Sequence, residues 1–170
     1  LAPGSVVWAV ASQRRLIACA SNDGGLLLWR KEGTLDRLPG HTGGARCVAF
    51  GETELLASGG DDGQAIVWRL HEDGADRIAA LRHRFPVAAV CLLGDRLAVA
   101  SGDSLEVWHI ASCQPLRSLR GHAGSICSLS CRGRPGIVVS AARDGLAKVW
   151  CTDTGQCLFS LASSAQVCVF

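Results

Sequence analysis

Residues 119–158 read LRGHAGSICSLSCRGRPGIVVSAARDGLAKVWCTDTGQCL, and within them Gly121-His122 is followed by two short apolar runs, Ser140, the pair Asp144-Gly145 and Trp150. The same order occurs twice more in the chain. Gly40-His41 leads to Ser58, Asp62-Gly63 and Trp68, and His83 leads to Ser101, Asp103 and Trp108. The His-to-His steps are 42 and 39 residues, and Trp29, Trp68, Trp108 and Trp150 follow one another at 39, 40 and 42. Such a period marks one supersecondary unit copied along the chain, each copy needing its neighbours to bury its faces.

The interior of a unit is clearest between Gly40 and His83. ARCVAF (45–50), LLASGG (55–60), QAIVWRL (64–70) and RIAALRH (77–83) are short runs rich in Val, Ile, Leu and Ala, separated by Gly-Glu, by Asp61-Asp62-Gly63 and by the expected loop HEDGAD. Runs of this length with Gly and Asp between them are strands, and no segment carries the 3.6-residue period of a helix. The Asp-Gly steps at 23–24, 62–63 and 144–145 sit at hairpin spacing, where Gly supplies positive φ. The turn Gly102-Asp103-Ser104 is one residue shorter between Asp and Trp. The reading is all-β: a β-propeller of which four four-stranded antiparallel blades are present. They span about 5–38, 40–81, 82–119 and 120–161, and 165–170 reads as the first strand of a fifth. The chain begins on Leu1 and stops on the apolar run AQVCVF, so its ends read as cut, and missing blades or self-association are expected to cover the two flanks. Alone, such an arc is expected to aggregate through its two apolar flanks.

The formal net charge of +2 comes from 17 basic and 15 acidic residues of mixed order, without the basic stripe of a dedicated nucleic-acid binder. The nine cysteines are scattered, odd in number and mostly set in apolar runs, as in a reducing compartment, cytoplasm or nucleus. Cys127 and Cys131 lie four residues apart on an expected strand, at about 3.3 Å per residue too far apart to share one metal ion. The start LAPGSVVWAV lacks the basic-then-apolar pattern of a signal peptide, and no 18-residue apolar run is present. No membrane partner, metal or cofactor is expected.

The recurring Gly-His, Ser, Asp and Trp residues resemble the WD-repeat family, and the resemblance covers essentially the whole chain. It implies a propeller, usually of seven or eight blades, serving as a rigid platform for other proteins. It also implies a buried relay of His, strand Ser, turn Asp and strand Trp in each blade. The relay would be His41, Ser58, Asp62 and Trp68 in the second blade, and His122, Ser140, Asp144 and Trp150 in the fourth. In the third it would be His83, Ser101, Asp103 and Trp108, with Arg82 in place of the usual Gly and a Ser nearer its Asp. The first blade has Ser21, Asp23 and Trp29, but Ala2 stands where His belongs, so its relay is broken or supplied differently. The family's Asp after Trp is replaced by Arg30, Arg69, His109 and Cys151.

A His, Ser and Asp trio invites a catalytic reading, but an active site would occur once, whereas this set recurs with a Trp as its fourth member. The Gly-rich stretches 41–44 and 58–63 precede no helix and carry no GxxxxGK[ST], so they read as turns. The resemblance implies partner contacts from the loops beside the relay, here Asn22, Asp61 and Arg143 before the turn Asp and Arg84 and Phe85 after His83, and Arg46 on an inner strand is a further candidate. Arg and aromatic residues favour binding hot spots; the plainer reading leaves Arg84 solvated and packs Phe85 between blades. The function expected is a non-catalytic scaffold or adaptor that holds other proteins or peptides. Arg143 and TGQCL also resemble blades of F-box WD proteins, which implies a substrate-recognition module of a ubiquitin ligase taking phosphorylated peptides. A regulatory propeller attached to an enzyme or NTPase is the further alternative.

Overall fold

The computed structural model describes residues 5–31, 33–52, 54–131 and 136–162. Ala2, Cys168 and the expected strand at 165–170 lie outside them. Among the described residues sixteen strands form four antiparallel sheets, each of four strands in chain order. The first sheet is β1 Val7–Gln13, β2 Leu16–Ser21, β3 Leu26–Arg30 and β4 Leu35–Leu38. The second is β5 Ala45–Phe50, β6 Leu55–Gly60, β7 Gln64–His71 and β8 Gly74–Arg82. The third is β9 Val87–Leu93, β10 Arg96–Ser101, β11 Ser104–His109 and β12 Gln114–Leu119. The fourth is β13 Ile126–Ser130, β14 Ile137–Ala142, β15 Leu146–Cys151 and β16 Cys157–Ala162.

Two local expectations change. HEDGAD is not a six-residue loop: β7 and β8 pair as far as His71 opposite Gly74, leaving only Glu72 and Asp73 as the turn. Ladder hydrogen bonds to these polar residues outweigh their low strand propensity. Arg82 ends β8, opposite Gln64, and so closes the second sheet instead of opening the third.

The first strands of successive sheets are neighbours: β5 packs on β1 and β9, and β13 packs on β9. The four sheets therefore fan out from an inner row of β1, β5, β9 and β13. Three apolar clusters fill the three interfaces, one around Leu28, Leu56 and Trp68, one around Val67, Val87 and Leu97, and one around Leu105, Val138 and Trp150. A sheet apolar on both faces is buried only when sandwiched. The flanks of the fan accordingly leave Val10 and Trp29 on the first sheet and Phe159 and Leu161 on the fourth exposed. The clearest packing constraint lies at Gly59 on β6, where a Cβ would come within 2.3 Å of Val87 Cγ1 and 2.7 Å of Cys47 Sγ.

Gly59→Val is therefore expected to overfill the interface between the second and third sheets. It should cost about 1–3 kcal/mol in chemical denaturation, since a close-packed core has no room to absorb the side chain. An unchanged midpoint would show that the sheets can separate without cost.

Candidate functional site

Antiparallel pairing places the loops entering each inner strand and the turns between second and third strands at one end of the fan. The relay residues lie at this end, and in the second sheet they form one continuous set of bonds. His41 Nδ1 donates to Asp62 Oδ1 at 3.0 Å, Ser58 Oγ donates to His41 Nε2 at 2.9 Å, and Trp68 Nε1 donates to Ser58 Oγ at 3.3 Å. The backbone N–H groups of Thr42 and Gln64 also donate to Asp62, at 2.9 and 3.1 Å. In the fourth sheet His122 Nδ1 donates to Asp144 at 2.8 Å, Ser140 to His122 Nε2 at 2.7 Å and Trp150 Nε1 to Ser140 at 2.8 Å. A single ring proton, on Nδ1, satisfies every donor and acceptor in each set. Ser58 and Ser140 are wholly buried, and each hydroxyl already accepts an indole N–H. The trios resemble a nucleophile arrangement only in composition, since a substrate cannot reach these hydroxyls.

The third sheet is wired differently. Glu106 accepts from His83 Nδ1 at 3.1 Å and from Trp108 Nε1 at 3.2 Å, while Ser101 Oγ donates to the Phe85 carbonyl at 2.8 Å. The expected set of His83, Ser101, Asp103 and Trp108 is thus corrected: Glu106 replaces Asp103, Ser101 leaves, and His83 Nε2 is buried without a partner. Ser101 pairs directly with Ser104 across a turn of Gly102 and Asp103, Gly102 at φ 63°, and the shorter turn carries Asp103 away from the imidazole. The alternation of β11 offered the one signal for Glu106, which stands two residues before Trp108.

In the first sheet Ser21, Asp23 and Trp29 do not form a relay. Ser21 Oγ donates to the Val6 carbonyl at 3.3 Å, Asp23 takes Ser5 at 3.0 Å, Gly25 N–H at 3.0 Å and Arg37 at 3.2 Å, and Trp29 is exposed. Asn22 is engaged through its Oδ1, which accepts the Val6 N–H at 2.8 Å beside the start of β1, while the residue itself stays exposed.

The remaining contact candidates gather at the loop end. Arg46 pairs with Asp61 and lies over the Trp8 ring at 5.6 Å. Arg84 lies over the Phe85 ring at 5.3 Å, and Phe85 is 46% exposed instead of packed between sheets. A groove of about 920 Å³ is lined by Trp8, Arg46, Phe85, Pro86, Asp103 and Arg143 among others. Each sheet or its entering loop supplies at least one of these. Trp8 is the residue that pattern reading missed: it is the one Trp outside the repeat register, and it is 46% exposed. Among the described residues no cluster of three or more His, Cys, Asp or Glu could hold a metal ion, and no helix is long and apolar enough to cross a membrane.

Fold and site together define a repeat protein of the β-propeller class, with sheets fanned about an inner row and loops gathered at one end. The model of the WD domain, G-beta repeat matches residues 33–69 and 113–151, and the chain belongs to the WD-repeat β-propeller family. It is 29% identical over 156 residues to protein transport protein SEC31 of Chaetomium globosum, covering 84% of this chain and 12% of that protein. It is 30% identical over 142 residues to ribosome biogenesis protein YTM1 of Yarrowia lipolytica, covering 81% of this chain and 27% of that one. It is 31% identical over 160 residues to mouse transducin beta-like protein 3, covering 88% and 19%. The chain thus spans less than a third of the length of these relatives. The computationally designed Ika8 protein superposes with a TM-score of 0.81 at 28% identity, covering 92% of this chain and 49% of that one. The designed Ika4 protein does so at 0.76 and 26%, covering 86% and 91%.

His122→Ala is expected to lower the thermal midpoint by the equivalent of roughly 1–3 kcal/mol, because it leaves Ser140 and Asp144 short of their partner. An unchanged midpoint would remove the hydrogen-bond chain from the account of stability.

The charged groups predict two limbs of pH dependence. Burial alone would raise the carboxyls of Asp62 and Asp144, but bonds from the imidazole and two backbone N–H groups outweigh it and hold both below the ordinary range. As pH falls the unfolded chain takes up these protons first, so this contribution is whole above about pH 4 and is lost below it. Burial also lowers the His83 pKa, outweighing the attraction of Glu106. The unfolded imidazole protonates near pH 6.5 while the folded one stays neutral, so stability falls from about that pH downward. His83→Gln should flatten the thermal midpoint between about pH 7 and 5 and leave the acid limb; a profile that keeps its slope in this window would contradict the assignment.

Proposed function

We propose that the chain is a non-catalytic platform that holds a protein or peptide partner against the groove at its loop end. The observation that carries this is the convergence of Trp8, Arg46, Phe85 and Arg143, drawn from four successive sheets or their entering loops, on one open groove. Exposed aromatic rings with guanidinium groups laid over them combine large contact area with charge, the composition found at protein-binding hot spots. The relay supports the reading by fixing the loops, so that little ordering entropy is lost when a partner docks. Relatives named for protein transport and ribosome biogenesis are compatible with assembly work of this kind. The buried thiol of Cys91, and that of Cys47, whose pKa desolvation pushes up to about 12, suit a reducing compartment, cytoplasm or nucleus.

The test is crosslinking of the intact protein to its co-purifying partners, with the linked residues mapped by mass spectrometry. Links are expected to cluster around Trp8, Phe85 and Arg143, and Phe85→Ala with Arg143→Glu should abolish them while the thermal midpoint holds. Links that survive both changes would place the partner elsewhere.

A further inference from the structure

The third sheet departs from its neighbours at a point where the departure creates a surface. In the second and fourth sheets the residue before the relay His is Gly. A Cβ on Gly40 would approach Trp68 Cζ2 to 2.7 Å, and one on Gly121 would approach Trp150 Cη2 to 3.3 Å. Glycine thus leaves room for those indoles, which are 3% and 2% exposed. Arg82 stands at the equivalent place and carries a side chain. Trp108 turns its N–H to Glu106 on its own strand and is only half-buried. Its ring stands edge-on to His83, with centroids 5.6 Å apart.

What results is a second groove, of about 450 Å³, on the outer strands of the third sheet. Its bed is Trp108, Pro115 and Leu116, and Arg82, Arg84 and Arg117 lie along it. Three guanidinium groups face the single carboxylate of Glu106, so the groove carries a net positive charge. Among the described residues Arg82, Arg84 and Arg117 form no ion pair with a carboxylate, as is also true of Arg69, Arg77 and Arg143, so what sets these three apart is that they line one groove. Arg117 is held in place by carbonyls instead, donating to Asp153 O at 3.2 and 3.1 Å and to Leu116 O at 2.7 Å. Glu106, the one acid in the groove, is occupied by His83 and Trp108.

We propose that this outer groove of the third sheet binds an acidic peptide segment, its carboxylates on Arg82, Arg84 and Arg117 and an apolar side chain on Trp108, Pro115 and Leu116. Guanidinium forks match carboxylate oxygens, and the apolar bed supplies area that charge alone would not. A peptide suits the site better than a nucleic acid, because the groove holds only a few residues and a chain of net charge +2 offers no basic track beyond it. The site shares Arg84 with the loop end, where its guanidinium lies over Phe85, and otherwise has its own lining.

The intact protein is titrated into a fluorescein-labelled peptide alternating Asp and Glu with Leu, and anisotropy is read at low and raised salt. Saturable binding that weakens with salt is expected, with about a ten-fold or greater loss in the Arg82→Glu/Arg84→Glu variant and in Arg84→Ala/Arg117→Ala. Arg46→Glu, at the other groove, should bind as the parent does. Unchanged circular dichroism and thermal midpoint show that each variant is folded. Absence of binding, equal affinity in the parent and either double variant, loss on Arg46→Glu, or tighter binding of a labelled single-stranded oligonucleotide would each overturn the proposal.

Discussion

Each sheet of this protein is apolar on both faces, and that condition forces sheet to lie on sheet. A side chain such as Val67 or Val99 leaves water only when the next sheet closes over it, and all three interfaces are filled in this way. The inner strands feel the constraint most. Where β6 meets β9 there is room for no Cβ at Gly59, because the Val87 side chain lies directly against its backbone. The same condition leaves an apolar surface at each flank of the fan, on the first sheet and along β16.

A fan of sheets held only by apolar contact would leave its entering loops unattached. The hydrogen-bond relay provides the attachment. His41 and His122 sit in loops, Ser58 and Ser140 on second strands, and Trp68 and Trp150 on third strands, so each relay ties a loop to the sheet it enters. Burial makes these bonds costly to break, since any group left alone would lie away from water. The loops are held at one end of the fan as a result, where Trp8, Arg46, Phe85 and Arg143 share a groove.

The third sheet shows what happens when the pattern is relaxed. A short turn removes Asp103, an arginine replaces the glycine that makes room for the indole, and Glu106 gathers the two stranded N–H groups. The sheet still packs, because the apolar clusters on either side are held by burial, with Trp108 packed against one and Trp150 within the other. The change appears on its outer side, where Trp108 is partly uncovered beside Arg82, Arg84 and Arg117.

Repeat length, strand content and the two complete relays were legible in the sequence, because each depends on residues that recur at fixed offsets from His and Trp. Strand ends such as Arg82 and the extension of β7 and β8 through HEDGAD were not, since ladder pairing is decided by the neighbouring strand. Asn22 reads as a free loop residue, yet its Oδ1 accepts the Val6 N–H, and Phe85 reads equally well as packing or surface until its exposure is seen. By itself the sequence determined the fold class and the residues that repeat, as periodic burial writes itself into periodic composition. Only the tertiary structure decided that Glu106 serves His83, that Trp8 joins the loop-end groove, and that three arginines meet beside Trp108. These contacts join residues that share no period, and the physical reason is that side-chain direction and sheet-on-sheet packing, not spacing along the chain, bring them together.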